Sequence, residues 1–529
     1  MKISFTLAVF IILSDKIENY FLYFSTTTHS LPGKVETYWT PYGRFDRISQ
    51  DGSLTFCQNG LVQSVLPDPY SAELHYLLPI AVLGCQGKIL LIRGTPAVIY
   101  SEPLPRTIPD TLYWVEPNHF LQRLYFSGDN LQKLDRQLHL LNIPKGPRRY
   151  LASENKTHYD LIIMHLSPPA TLVANAYYTE EFFQSVGHAL SDSGAFYFTL
   201  PGAENLLSQQ LSRFLGTIKR TAESVFKYVE ILPGSEAIFF CSNRTPPEPL
   251  YRMLINLEDY CSWQPTTLNK TYWFYRLSEE RLSEFNATLS GIEEGPINTD
   301  RNFLGFIRYI QTLPLPVIRK LGMIIESLIP RRFLLAGIIL GLLLMSIFLI
   351  RPERRIIAGL LTNGLLCMSL ETLGLILYQI QHGNIYQETA LFIGAFMGGM
   401  ALGVHFFSRF SAGVWGKILL RSGYSFIAVI LFLLFNLNIA FWPILPVRAA
   451  FTFIFVFSGF SGGFWFAALS KQFTTGGKAP GRSYAWDLLG AALGTFIFTT
   501  LLLPVLGTEL FLLILAGTNL IIFTHQKIS

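Results

Sequence analysis

The 529-residue chain is poor in cysteine and poor in charge, and each shortage closes off a class of function. Its five cysteines lie far apart and form no C-x-x-C pair, so neither a zinc site nor a disulfide framework is indicated, and buried thiols are expected. Only 15% of the residues are charged, and the formal net charge of +5 is small and dispersed, which leaves no electrostatic footprint for nucleic acid. The shortage of charge is also uneven. Up to about Arg332 charges occur at the density of an ordinary soluble protein; beyond it they almost vanish, except in short clusters between apolar runs. The mean hydropathy of +0.35 averages over that partition. A chain of this length exceeds one compact core, so more than one domain is expected.

What the second half does contain is a series of apolar stretches, each near the roughly 20 residues that a helix needs to cross a bilayer core. The expected spans are Phe333–Ile350, Ile356–Ile380, Glu388–Phe407, Ile418–Ala440, Ala449–Leu469, Trp486–Leu506 and Glu509–Thr524, a bundle of about seven helices. Arg331-Arg332 before the first span, and Arg351 with Arg354-Arg355 after it, suit snorkelling at two interfaces. Small residues recur at helix-packing spacing in Gly394/Gly398, Gly399/Gly403 and Gly490/Gly494, which lets backbones approach closely. Three polar groups interrupt the apolar pattern. Glu371 lies well inside the second span, Asp487 lies at the mouth of the sixth, where it would cap its helix, and His405 lies near the end of the third. An ionised carboxylate at the depth of Glu371 costs roughly 2.5–3.5 kcal/mol, so it is either bonded within the bundle or part of a proton or substrate path. The loops carrying Arg351, Arg354, Arg355, Arg409, Lys417, Lys471, Lys478, Arg482 and Lys527 are the more basic set. That side is expected to be cytoplasmic, which with seven spans puts the preceding domain on the other side.

Ahead of the bundle the pattern changes to strands. Turn pairs Asp51-Gly52 and Asn59-Gly60 separate short strands between about Tyr38 and Gln63, a small antiparallel domain over residues 35–70. A helix is expected around Ala72–Leu83. Lys88–Ile92, Thr111–Glu116, Gln137–Ile143, Tyr159–His165, Gly194–Leu200 and Ala237–Ser242 read as strands, with helices at Glu180–Leu190 and Leu207–Val225. Strands alternating with helices predict an α/β doubly wound, mostly parallel sheet over residues 71–312. Residues 313–332 form the expected linker to the bundle at 333–529, and residues 1–34 hold the short apolar run Ile3–Leu13, a signal, an anchor or the remnant of a helix, with a linker behind it.

Several segments together resemble the spermidine synthases and related polyamine aminopropyltransferases, in their membrane-fused branch. They are Pro41-Tyr42-Gly43, Asn59–Gln63 with Asp68, Tyr159–Pro169, Tyr178–Phe183, Leu200–Asn205 and Asn298–Asp300. The bundle adds Met368–Glu371, Phe396–Gly403 and Tyr484–Gly494. The resemblance implies a Rossmann-like domain of the methyltransferase type, fused to an all-α multi-pass transmembrane bundle. It also implies decarboxylated S-adenosylmethionine or a related nucleoside as cofactor, held by Gly94 and Glu116, and a polyamine held by Gln63 and Asp68. His165 then stands at the catalytic aspartate position.

Residue by residue, this chain departs from that pattern. The family's Gly-Gly-Gly-Asp-Gly loop reads Arg93-Gly94-Thr95-Pro96-Ala97, and its Asp-x-x-Asp-Pro reads His165-Leu166-Ser167-Pro168-Pro169. Both carboxylates that would attract and deprotonate a polyamine are replaced, and a bulky cation stands where bare backbone would approach the cofactor. The expectation is therefore a membrane-bound family member without ordinary aminopropyl transfer, whose partners are the lipid bilayer, a polyamine or nucleoside ligand, and a second copy of the chain. The competing expectation is a transporter- or channel-like bundle that the α/β domain regulates, with Glu371 as its functional group.

Overall fold

The computed structural model describes residues 34–40, 42–82, 87–101, 111–126, 139–152, 157–204, 206–257, 265–290, 295–349, 352–382, 386–407, 414–436, 444–475 and 479–523. The apolar run Ile3–Leu13, the start of the strand expected at Gln137, and Arg351, Arg409, Lys478 and Lys527 lie outside these residues.

The chain begins with a four-stranded antiparallel meander of β1 (Lys34–Thr40), β2 (Gly43–Gln50), β3 (Ser53–Gln58) and β4 (Leu61–Leu66). Its hairpins turn where the sequence places them, at Asp51-Gly52 and Asn59-Gly60, all four residues having positive φ. A helical stretch, α1 (residues 69–82), follows and packs on a seven-stranded sheet. The strands of that sheet are β5 (Ile89–Arg93), β6 (Thr111–Val115), β7 (His139–Ile143), β8 (Tyr159–His165), β9 (Leu190–Pro201), β10 (Tyr228–Leu232) and β11 (Glu236–Ser242). Their order is β10-β11-β9-β8-β5-β6-β7, with β11 antiparallel to both its neighbours and the remaining pairs parallel.

The central strand β5 is apolar at every residue but its last because both its faces are covered. Alternation sends Ile89 and Leu91 to the core shared with α1, and Leu90 and Ile92 to the opposite core. That second core contains the aromatic group Phe183, Phe196, Phe198 and Phe226, brought together by β9, by α4 (Glu180–Ala189) and by the residues after α5 (Gln209–Glu223). Between the strands and these helices lie α2 (Pro147–Ala152) and α3 (Leu172–Asn175). Ser208 caps α5 by accepting from the Leu211 amide.

Beyond the sheet the chain is helical: α6 (Leu304–Thr312), α7 (Pro316–Leu328), α8 (Arg332–Leu349), α9 (Pro352–His382), α10 (Tyr386–Phe407), α11 (Val414–Asn436), α12 (Ile444–Thr475) and the stretch Pro480–Phe523. Among the described residues, five stretches are long and apolar enough to cross a bilayer: Pro316–Met345, Arg354–His382, Glu388–Phe407, Pro446–Thr474 and Pro480–Phe523; Arg421–Asn436 is a shorter apolar helix. The last of the five has 44 residues, more than one crossing requires, and it breaks at Gly507 (φ 75°, ψ 167°). The parts before and after the break, α13 and α14, cover the sixth and seventh expected spans. Residues 313–332, expected as a linker, are themselves helical over Pro316–Leu328.

Two helix crossings are set by glycine. A Cβ on Gly399, Gly403, Gly459 or Gly463 would come within 2.0–2.1 Å of a carbonyl oxygen on the facing helix, so α10 and α12 meet backbone to backbone. Gly364, Gly490 and Gly494 make similar approaches between α9 and α13, at 2.0, 2.0 and 2.5 Å. Gly394 and Gly398 correct the sequence reading: nothing lies within 4 Å of their Cβ positions, so this pair faces outward and packs no described helix.

Candidate functional site

The sheet reverses its winding between β5 and β8. From β5 the chain proceeds outward to β6 and β7, then returns to lay β8 and β9 on the other side. A crevice opens at such a point beyond the carboxyl ends of the strands. Here it is a cavity of about 460 Å3, and Arg93, Gly94, Glu116, His165, Glu236 and Gln63 are among its lining residues.

Arg93 ends β5 with φ 64°, the left-handed region that suits glycine and costs a side-chain-bearing residue about 1–3 kcal/mol. Its side chain, 34% exposed, turns toward the end of β6, and Nη1 donates to Glu116 Oε1 at 2.8 Å. The Asn118 amide donates to the same oxygen at 2.9 Å. Burial pushes the Glu116 carboxyl up, and the Arg93 charge and the Asn118 amide oppose that rise. Gly94 has no alternative: φ is 78°, and a Cβ there would meet the Tyr76 hydroxyl at 2.6 Å and His165 Cβ at 3.1 Å.

His165, at the end of β8, pairs in register with Arg93. The Tyr76 hydroxyl accepts from the Thr95 amide at 2.9 Å and lies 3.2 Å from His165 Nδ1. Burial, followed by the adjacent His75, pushes the His165 imidazole down to about 3 against a smaller opposing effect of Glu236. The two imidazoles lie 4.3 Å apart, centre to centre. His75 in turn meets Glu236, with Nε2 to Oε1 at 3.4 Å, and Thr199 donates to Glu236 Oε2 at 2.6 Å. Burial opposes ionisation of Glu236, but the His75 and Thr199 contacts outweigh it and hold this carboxyl below its ordinary value.

A pH dependence follows. Between about 6.5 and about 3 the unfolded chain protonates His165 and the folded one does not. Stability contributed at neutral pH is therefore lost as pH falls through that window, by at most about 1.4 kcal/mol per unit. Denaturant midpoints at pH 7 and pH 5 are expected to differ less in His165→Gln than in the unsubstituted protein. An equal difference in both would place the acid sensitivity elsewhere.

The crevice brings together Gly94, Glu116, His165 and Gln63 of the residues singled out in the sequence. Asp68 is elsewhere: it precedes α1 and its Oδ1 accepts from the Ser71 amide at 3.0 Å as a helix cap. In the bundle, Asp487 lies inside α13 rather than at its N-cap, and accepts from Asn363 Nδ2 at 2.9 Å. Glu371 is 7% exposed and makes no hydrogen bond or ion pair among the described residues. His405 is exposed on the outer face of α10. His75, Tyr76, Thr199 and Glu236 were not anticipated, nor was buried Glu388, which takes the Tyr378 hydroxyl and Arg448 as partners. Asn298 and Asp300 act structurally. Asn298 bonds Asn175 and the Tyr178 carbonyl, and Asp300 pairs with Arg148 while accepting from Thr179 Oγ1 at 2.8 Å.

The strand order, the reversed final hairpin and the cavity at the switch point define a Rossmann-like α/β unit of the methyltransferase type. No protein-family model and no curated protein sequence matches the chain at a significant level. Among solved structures it is similar to a spermidine synthase in complex with the transition-state analogue AdoDATO, at 14% identity and a TM-score of 0.36, over 49% of this chain and 87% of that one. The spermidine synthase of Thermotoga maritima gives 14% identity and a TM-score of 0.36, over 49% and 88%. A probable spermidine synthase from Corynebacterium glutamicum gives 15% and 0.31, over 42% and 86%.

Proposed function

We propose that this is a multi-pass membrane protein of the spermidine synthase kind, whose α/β unit has kept the frame of an aminopropyltransferase but not ordinary aminopropyl transfer. The observation that carries the reading is the Arg93–Glu116 ion pair. By the resemblance, Glu116 stands where an acid holds the ribose hydroxyls and Arg93 stands where a glycine leaves room for the cofactor. Here the acid is engaged by the cation, and a guanidinium near a sulfonium centre opposes binding by like charge. The chemistry of His165 supports the same reading, since a buried imidazole pushed down to about 3 stays neutral and does not replace a carboxylate in attracting a polyamine. The left-handed backbone at Arg93 fits a loop once shaped for glycine.

Titration calorimetry on the detergent-purified protein tests this. Decarboxylated S-adenosylmethionine and methylthioadenosine are expected to bind more weakly than about 1 mM. Arg93→Gly, which relieves the backbone strain and frees Glu116, is expected to gain at least about tenfold in affinity for methylthioadenosine. Transfer of an aminopropyl group to putrescine by the unsubstituted protein would sink the proposal.

A second reading, in which the bundle itself moves protons or a solute, draws on buried and unpartnered Glu371. It predicts that Glu371→Gln abolishes flux in proteoliposomes; equal flux in both proteins ends it.

A further inference from the structure

We propose that α7 is a membrane-surface helix that seats the α/β domain on an anionic bilayer. The helix has two unlike sides. On one, Gly322 and Ile325 are buried, and Glu326 is held by three side chains: Arg308 Nε at 2.9 Å and Arg213 Nη2 at 2.8 Å on Oε1, and Gln311 Nε2 at 2.8 Å on Oε2. Arg213 belongs to α5 of the α/β domain, so this side is fastened to the sheet-bearing half. A Cβ on Gly322 would meet Gln311 Cγ at 2.8 Å, which shows how closely α6 and α7 approach.

Among the described residues nothing covers the other side. Val317 is 79% and Ile324 57% exposed, seven residues apart and therefore on one stripe of the helix, with exposed Lys320 beside them and exposed Arg319 at the far edge of that side. Apolar residues flanked by cations are the pattern of a helix lying in the headgroup region, where long basic side chains reach anionic phosphates.

Continuity decides what covers this side. After Leu328, α7 runs on through Ile329–Arg331 into α8, and Pro316–Met345 counts as one apolar helical stretch. Phe333, at the start of α8, is 68% exposed, and exposed Leu334, Ile338 and Leu342 follow it. At 18 residues α8 is about 27 Å long, close to the roughly 30 Å of a hydrocarbon core. A side chain on α8 that faces lipid lies only a few residues from the uncovered stripe of α7, with Arg331 and Arg332 between them at headgroup level. The bilayer that surrounds α8 is therefore the surface that α7 meets.

The test uses the full chain in phosphatidylcholine–phosphatidylglycerol vesicles, with Ile324→Cys carrying an environment-sensitive fluorophore and the unsubstituted protein supplying the labelling background. Quenching by nitroxide-bearing lipid is expected to exceed quenching by aqueous iodide several-fold. Arg319→Glu/Lys320→Glu in the same background is expected to reduce lipid quenching in the anionic vesicles and leave it unchanged in phosphatidylcholine alone. Free access of iodide without lipid quenching overturns the proposal. So does disulfide cross-linking of unlabelled Ile324→Cys between two copies, since a second chain would then be the cover. A Ser212→Cys label on α5, a buried position on the docked side of the junction, controls for folding: it should resist both quenchers in every variant.

Discussion

Gly403→Leu is expected to destabilise the bundle by about 3 kcal/mol or more, while Gly398→Leu, five residues earlier on the same helix, is expected to be nearly neutral. The difference follows from what each Cβ would meet. At Gly403 it would lie 2.1 Å from the Phe460 carbonyl oxygen and 2.8 Å from the Phe464 nitrogen. Both are backbone atoms of α12, so relief requires the helices to move apart. Separation would also open the contacts at Gly399, Gly459 and Gly463, because all four glycines share one crossing. Lipid-embedded helices associate through this kind of close contact rather than through a hydrophobic drive, so little remains to hold α10 against α12 once it is lost. At Gly398 the same side chain enters open space. Thermal unfolding of the detergent-solubilised variants, followed by the folded fraction on size exclusion, separates the two. Equal stability in both would mean that α10 and α12 do not cross at Gly403.

That pair of glycines also marks how far the sequence can be read. Spacing identifies Gly394/Gly398 and Gly399/Gly403 alike as small-x-x-x-small, since helical period is a local property. Which pair meets a partner depends on how the helix is rotated in the bundle, and that is decided by the whole packing. The same division runs through the α/β half. Asp51-Gly52 and Asn59-Gly60 announce their hairpins because positive φ is a demand on the residue itself. Edge strand β10, Tyr228–Leu232, went unread; it is short, and its strand character comes from pairing with β11. In the crevice, Gly94, Glu116 and His165 are reached through the family resemblance alone, and in the structure each ends or follows a strand. Tyr76 and His75 come from a helix, and Glu236 from the first residue of an antiparallel strand, so only the fold brings them to His165. The helix α7 was hidden for another reason. At 13 residues, with charges at Arg319, Lys320 and Glu326, it is too short and too charged to pass as a span by itself.

Glu73→Ala is expected to cost about 3–5 kcal/mol of the stability of the α/β half, more than any single change in the crevice. Glu73 is fully buried in α1, a place where an uncompensated carboxylate would be prohibitive. It is tolerated because the loop before Lys270–Arg276 folds over it. Oε1 accepts from the Thr266 amide at 2.5 Å and the Thr266 hydroxyl at 2.8 Å, and Oε2 accepts from the Leu268 amide at 2.7 Å, with the Thr267 amide 3.1 Å from both oxygens. Truncation removes the acceptor and leaves those amides without a partner, at about 1–3 kcal/mol for each that stays buried. Glu73→Gln is the sharper comparison. It keeps the volume and one acceptor oxygen, but turns an amide toward N–H groups that need a lone pair, so it should recover only part of the loss. Urea unfolding of the three proteins, with the signal taken from Trp273 in the helix that this loop introduces, orders them as unsubstituted, Gln, Ala. A Gln variant as stable as the unsubstituted protein would mean that hydrogen-bond count alone holds the loop and that the negative charge contributes nothing.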